Sequence, residues 1–275
     1  MSTKPAERLE KILARVAREQ SLNQERLRRW VSFLALCGVL ECAVEKGVIG
    51  RYYLKGGVAM ELRFAGAART TKDFDLSLEG DRLERIRRLE DVLKVGFDEF
   101  TFRLKPEMHH MEVADTVRVE VAVQYRTRAW QTIDVDLGPA GANEVDLVEP
   151  AIRGLAEMGL PVASPIRCLS ISVQIAQKLH ACTAPHQDDR ARDVLDILLV
   201  DMLGKLDYVR TRLAAERVFI ERGTHAFPPT VRLPAAWRLE LESLANELGY
   251  PITTAEEIEA RFRAVVEAIA AAQVP

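Results

Sequence analysis

Residues 51–78 read RYYLKGGVAMELRFAGAARTTKDFDLSL, and the hydropathy period changes twice within them. Arg51-Tyr-Tyr-Leu-Lys55 is short, aromatic and aliphatic, the composition of a strand. Gly56-Gly57 marks a tight turn, and Val58 to Phe64 carries helical spacing. Asp73-Phe-Asp-Leu-Ser-Leu78 alternates with period two, which predicts a strand that buries Phe74, Leu76 and Leu78. Side chains two apart on a strand share a face, about 6.6 Å apart along the chain. Asp73 and Asp75 therefore point the same way. Two like charges so placed repel, and a cation between them relieves the repulsion. Mg²⁺ suits a few carboxylates together with substrate phosphates. An isolated D-x-D also fits a solvated edge strand, and two glycines also fit a plain turn.

Further along, Thr132-Ile-Asp-Val-Asp-Leu137 repeats the pattern, with Asp134 and Asp136 on one face and Ile133, Val135 and Leu137 on the other. A third carboxylate beside the first two is the usual layout for two-metal phosphoryl or nucleotidyl transfer. Phe97 to Leu104 and Val117 to Tyr125 add strands, the latter joined to Trp130–Leu137 around Arg126-Thr-Arg. Arg82 to Val95 is a charged helix. Upstream, Leu9, Ile12, Leu13 and Val16 recur at helical spacing, and Ser21-Leu-Asn-Gln-Glu starts a second, more apolar helix. After Pro150 the strand signals stop, and Cys168–Cys182, Ala191–Leu203 and Ala255–Ala271 carry helical periodicity. The fold class is α+β: a mixed sheet over about 49–150, then a helical region over about 165–275.

Composition sets outer bounds. The chain has 275 residues, 48% apolar and 29% charged, which fits one large or two modest globular domains. The nearest approach to a membrane span, Val31 to Val44, is interrupted by Ser32 and Glu41, so no membrane association is expected. The opening MSTKPAERLEK is too polar for a secretory signal. Four cysteines without C-x-x-C spacing suggest reduced thiols and a cytoplasmic setting. A net charge of −3 excludes a simple polyanion-coating protein. Lys205–Arg238 is nonetheless locally basic. A phosphate loop of the G-x-x-x-x-G-K-[ST] type is absent, which disfavours an ATPase or kinase of that class.

Leu54-Lys-Gly-Gly-Val-Ala-Met-Glu-Leu-Arg63, followed by Arg69-Thr-Thr-Lys-Asp-Phe-Asp-Leu76, resembles the first motif of the AbiEii/AbiGii-type toxin nucleotidyltransferases of the DNA polymerase β-like superfamily. Gln177-Lys-Leu-His-Ala181 is similar to the family's helical lysine motif, and Arg190-Ala-Arg-Asp-Val-Leu-Asp-Ile197 to its R-x-x-D-x-x-D signature. These matches follow one another in family order. The resemblance implies a minimal nucleotidyltransferase sheet flanked by helices. Residues 1–48 would pack on a core of 49–150, and a helical domain of 151–275 would complete the active site. It implies that Asp73 and Asp75 ligate Mg²⁺, or Mn²⁺ in its place, with Asp134 as third ligand and Asp136 an open alternative. Lys55, Gly56, Gly57 and Thr71 would line the nucleotide site. Lys178 would contact the triphosphate of the NTP, and Asp193 would orient it or a catalytic partner. The implied activity is that of a toxin, in a toxin–antitoxin or phage-defence module, which transfers NMP to the 3′ end of tRNA and so blocks translation. A cognate antitoxin is the implied partner.

The residues themselves leave other readings beside these. Ile171, Ile175 and Leu179 form an apolar stripe that Lys178 borders, so this lysine either snorkels from the core edge or turns into a cleft. Asp193 also suits helix capping, and Asp196 suits an i, i+4 pair with Arg192. Lys205–Arg238, with Trp237, is the candidate tRNA surface, or else a solvated face. His180, His186 and the loop-borne His109-His110 read as packed or solvated. The same metal core would also serve a small-molecule or protein acceptor, or a catalytically silent nucleotide-binding regulator.

Overall fold

The computed structural model describes residues 5–19, 23–110, 115–151, 163, 165–185 and 189–273. The chain divides into two compact units, Met1–Gly66 with Thr70–Cys168, and Ala67–Arg69 with Leu169–Pro275.

In the first unit, helix α1 (Pro5–Glu19) turns Leu9, Leu13 and Val16 inward. Helix α2 (Gln24–Glu45) starts at Asn23, whose side-chain oxygen accepts from the amides of Glu25 (2.8 Å) and Arg26 (3.1 Å). A mixed seven-stranded sheet has the order β3-β4-β5-β2-β1-β7-β6. Its strands are β1 (Tyr52–Leu54), β2 (Asp73–Leu78), β3 (Phe100–His110), β4 (Val117–Tyr125), β5 (Arg128–Pro139), β6 (Val145–Val148) and β7 (Ile166–Leu169). Strands β2 and β5 run parallel, as do β1 and β7, while β3-β4-β5 is an antiparallel meander. Helices α3 (Gly56–Phe64) and α4 (Arg82–Val95) complete the unit.

Alternation along the strands decides which face is buried. Phe74, Leu76 and Leu78, Val117 through Val123 at alternate positions, and Ile133, Val135 and Leu137 are all buried. They meet α2 and α4; the Phe33 ring from α2 lies 5.5 Å from that of Phe74. The opposite register positions carry the polar side chains. The β4–β5 hairpin turns through Arg126 and Thr127, both at positive φ (46° and 67°), which matches the right-handed twist of a two-residue hairpin.

The second unit is helical: α5 (Ile171–Thr183), α6 (Ala191–Met202), α7 (Tyr208–Arg222), α8 (Arg238–Glu247) and α9 (Ala255–Ala271). Helix α5 packs on α6 and α7, and α6 on α8 and α9.

The structure corrects four expectations. Gly56-Gly57 is not a turn ahead of a helix; α3 begins at Gly56 itself. Strand signals do not stop at Pro150, because β7 lies beyond it; four residues are too few to display a period. Helices α7 and α8 were not anticipated, since their arginines and glutamates interrupt the apolar stripe. His109 and His110 end strand β3, opposite Arg118 and Val117, rather than lying in a loop. Lys105-Pro-Glu and a register shift between Leu104 and Met108 obscure the alternation there. His186 lies outside the described residues.

Candidate active site

Parallel pairing of β2 with β5 aligns Asp73 with Asp134 and Asp75 with Asp136. Directly paired residues on neighbouring strands point to the same face, about 4.8 Å apart. The four carboxylates therefore form a two-by-two grid on the face opposite the core, at half-buried positions. β4 adds a further row: Glu120 is aligned with Asp134, and Arg118 with Asp136. Sequence reasoning missed both. They sit at the polar positions of Val117-Arg-Val-Glu-Val121, but only the strand register brings them to the acids.

Arg118 donates two hydrogen bonds to Asp136 (2.7 and 2.8 Å) and lies 3.2 Å from Asp73. The bonds to Asp136 hold its pKa above that of an ordinary arginine, outweighing partial burial, and the Asp136, Asp73 and Asp134 charges add to the effect. Glu120 is taken by Lys105 at 2.6 Å. Asp134 makes no side-chain hydrogen bond or ion pair among the described residues.

Helix α3 delivers the glycines to this grid. Gly56 has φ +61°, and a Cβ there would fall 1.9 Å from Asp75 Oδ2. A Cβ at Gly57 would fall 2.6 Å from the hydroxyl of Thr71. The two glycines thus bring the start of α3 against β2, and the helix N-terminus faces an anionic site. Thr71 is buried, and its hydroxyl donates to the Asp73 carbonyl (3.3 Å). The Lys55 amide donates to the Asp75 carbonyl (3.1 Å). The Lys55 ammonium lies over Gly138, 3.3 Å from where a Cβ would stand. Lys55, Gly56, Gly57, Thr71, Asp73, Asp75, Asp134 and Asp136 are therefore brought together.

Gly56→Ala is expected to keep the fold but cost about 100-fold in any reaction at this site. A methyl group at positive φ is strained, and displacing a reacting group by about 1 Å costs that much. Comparing turnover with the melting temperature checks it; an active Gly56→Ala protein would show that the close approach is dispensable.

Four carboxylates are hard oxygen donors, and their half-buried face suits Mg²⁺ or Mn²⁺ shared with phosphates. In donor chemistry the grid fits such an ion. As the side chains stand, no three of the described His, Cys, Asp and Glu residues converge on a point that would hold one.

In the second unit, Lys178 on α5 is buried and donates to Asp193 and, at 2.9 Å, to Asp196, both on α6. Asp196 is fully buried and also lies 3.4 Å from Arg69 Nε. Burial alone would depress the lysine; Asp196 and Asp193 together hold its pKa above the usual range. Burial would raise the Asp193 carboxyl, but Lys178 keeps it below the ordinary value. Lys178 does not snorkel. The α6 start is bonded instead by Asp189, whose carboxylate accepts from the Ala191 amide at 3.3 Å. Arg192 pairs with Glu240 rather than Asp196.

The candidate RNA stretch changes character. Trp237 is 5% exposed and packs inward, so it offers no stacking platform. Arg212 pairs with Glu216 and Arg238 with Glu256, which consumes part of the basic surplus. Arg222 turns to His180, itself buried against Phe219 and His225. Burial, with Arg222 and His225 nearby, lowers the His180 pKa to about 4. No helix among the described residues is long and apolar enough to cross a membrane.

Residues 39–272 match a family model described as "Nucleotidyl transferase AbiEii toxin, Type IV TA system". By structure the chain is similar to MenT4, a nucleotidyltransferase toxin of Mycobacterium tuberculosis H37Rv. That match has a TM-score of 0.56 and 14% identity, and covers 96% of this chain and 90% of MenT4. A match to the antibiotic-resistance factor ANT(2″)-Ia has a TM-score of 0.39 and 17% identity, over 71% of this chain and 93% of that one. No curated protein matches by sequence.

Proposed function

The chain belongs to the AbiEii family of nucleotidyltransferase toxins of type IV toxin–antitoxin systems, and from that membership we propose a Mg²⁺-dependent transfer of NMP from an NTP to the 3′ end of tRNA. The observation that carries this reading is the carboxylate grid on β2 and β5 beside the N-terminus of α3. The acceptor hydroxyl oxygen would attack the α-phosphorus as the bond to the β-phosphate bridging oxygen breaks and pyrophosphate leaves. Positioning and charge neutralisation supply most of the catalysis in such transfers.

Asp73, Asp75 and Asp134 would hold the divalent ion, which when bound neutralises the triphosphate and eases ionisation of the attacking hydroxyl. Asp134 is preferred to Asp136 because Asp136 is already held by Arg118. The Gly56 and Gly57 backbone, with the Lys55 ammonium, would receive phosphate oxygens, and Thr71 would shape the wall behind them. By resemblance to the family's helical lysine motif, Lys178 would contact the triphosphate and Asp193 would orient it. Modified tRNA would no longer be aminoacylated, which stops translation and growth. An antitoxin partner follows from family membership.

The test uses purified protein, total tRNA, Mg²⁺ and each α-³²P-labelled NTP in turn. Label on tRNA is expected, and prior periodate oxidation of the 3′-terminal diol should abolish it. Label on protein or a small molecule, with none on tRNA, would overturn the proposed acceptor.

A further inference from the structure

We infer that Arg118, anchored on Asp136, is the resident counter-ion of the carboxylate grid and competes with the divalent ion for Asp73. The inference rests on the proposed reading of the grid as a metal site. Arg118 enters from β4 and takes one carboxylate from each strand and each row: Asp136 bidentately at 2.7 and 2.8 Å, and Asp73 at 3.2 Å. That is the placement a bridging cation adopts. A planar guanidinium fork matches two carboxylates as an ammonium does not.

The charges around the grid lead to the same competition. Asp73, Asp75, Asp134, Asp136 and Glu120 face Arg118, Lys105 and Lys55, which leaves two negative charges. Lys105 is spent on Glu120, and Lys55 reaches toward Gly138, so Arg118 is the cation committed to the grid's diagonal. An ion arriving alone must take Asp73 from the guanidinium and settle beside a positive charge that Asp136 keeps in place. An ion arriving with a triphosphate brings anionic oxygens that the guanidinium can take. Arg118 thus couples metal binding to nucleotide binding, and the coupling acts equally in both directions.

Mn²⁺ titration of the full chain, followed by the electron paramagnetic resonance signal of the free ion, measures the competition without turnover. Each protein is titrated alone and with an α,β-methylene NTP analogue. Wild type should bind Mn²⁺ weakly alone and much more tightly with the analogue. Arg118→Met should bind Mn²⁺ at least about tenfold more tightly without nucleotide, a gain of about 1.4 kcal/mol, and respond less to the analogue. Arg118→Lys keeps the charge without the fork and should fall between; it carries the test if the methionine variant melts low. Unchanged or weaker nucleotide-free binding in folded Arg118 variants, with wild type binding Mn²⁺ in the presence of the analogue, would overturn the counter-ion role alone. Failure of wild type and variants to bind Mn²⁺ under either condition would overturn the metal reading and this inference together.

Discussion

Asp75→Asn is expected to abolish nucleotidyl transfer, by on the order of 10³-fold or more, and to leave the melting temperature unchanged or raised. The loss corresponds to about 4 kcal/mol at about 1.36 kcal/mol per tenfold. Asparagine has nearly the shape of aspartate, so the tight approach of Gly56 to this side chain survives the change. What disappears is one negative charge from a grid whose paired residues stand about 4.8 Å apart. Near a protein surface, with an effective dielectric of about 20, two unit charges about 5 Å apart repel by roughly 3 kcal/mol. The carboxylates of the grid thus repel one another, which Arg118 compensates in part at Asp73 and Asp136. A site that gives up stability for reactivity behaves this way. Parallel transfer assays and thermal melts of wild type, Asp75→Asn and Asp73→Asn check the expectation. A variant that loses transfer only as it loses its fold would mark these acids as structural.

The acids of this grid could be read from the sequence because the rule that makes them neighbours is local. On a strand, i and i+2 share a face, and Phe74, Leu76, Ile133 and Val135 declare which face is the other one. The register between β2 and β5 obeys no local rule. It is set by packing, of β2 on α3 and of β5 on α2 and α4, so nothing in the sequence aligned Asp73 with Asp134 or brought in Arg118 and Glu120. The same division holds among the elements. Helices α4 and α9 and strands β2 and β4 lie where their periodicity places them. Strands β6 and β7 are four residues each and show no period, while α7 hides its buried Thr211, Ala214, Ala215, Val218 and Phe219 among arginines. The partner of the second acid in the R-x-x-D-x-x-D signature is not local either. Helical phase puts Asp196 within reach of Arg192, but the position of α5 gives it to Lys178.

Lys178→Met should be the most destabilising change in the second unit, by about 3–5 kcal/mol, because it leaves buried acids without their main cation. Among the described residues, the fully buried Asp196 would keep only Arg69 at 3.4 Å, and Asp193 only Arg190 at 3.6 Å. A second substitution separates structure from function. In Lys178→Met/Asp193→Asn the cluster regains its wild-type net charge, with Arg69 and Arg190 against Asp196, so most of the stability should return while transfer is expected to be lost. The pH dependence has a definite sign. Asp193 lies below its ordinary 3.8 in the folded chain, so its contribution is present above that value and fades as pH falls through the lowered one. Lys178 lies above its ordinary 10.5, so its contribution is full below that value and fades as pH rises through the raised one. The melting difference between wild type and Lys178→Met should therefore be flat from about pH 5 to 9 and shrink toward both extremes. Melts across that range check it. A difference that varied steeply near neutrality would mean that Lys178 does not carry its charge between these two acids.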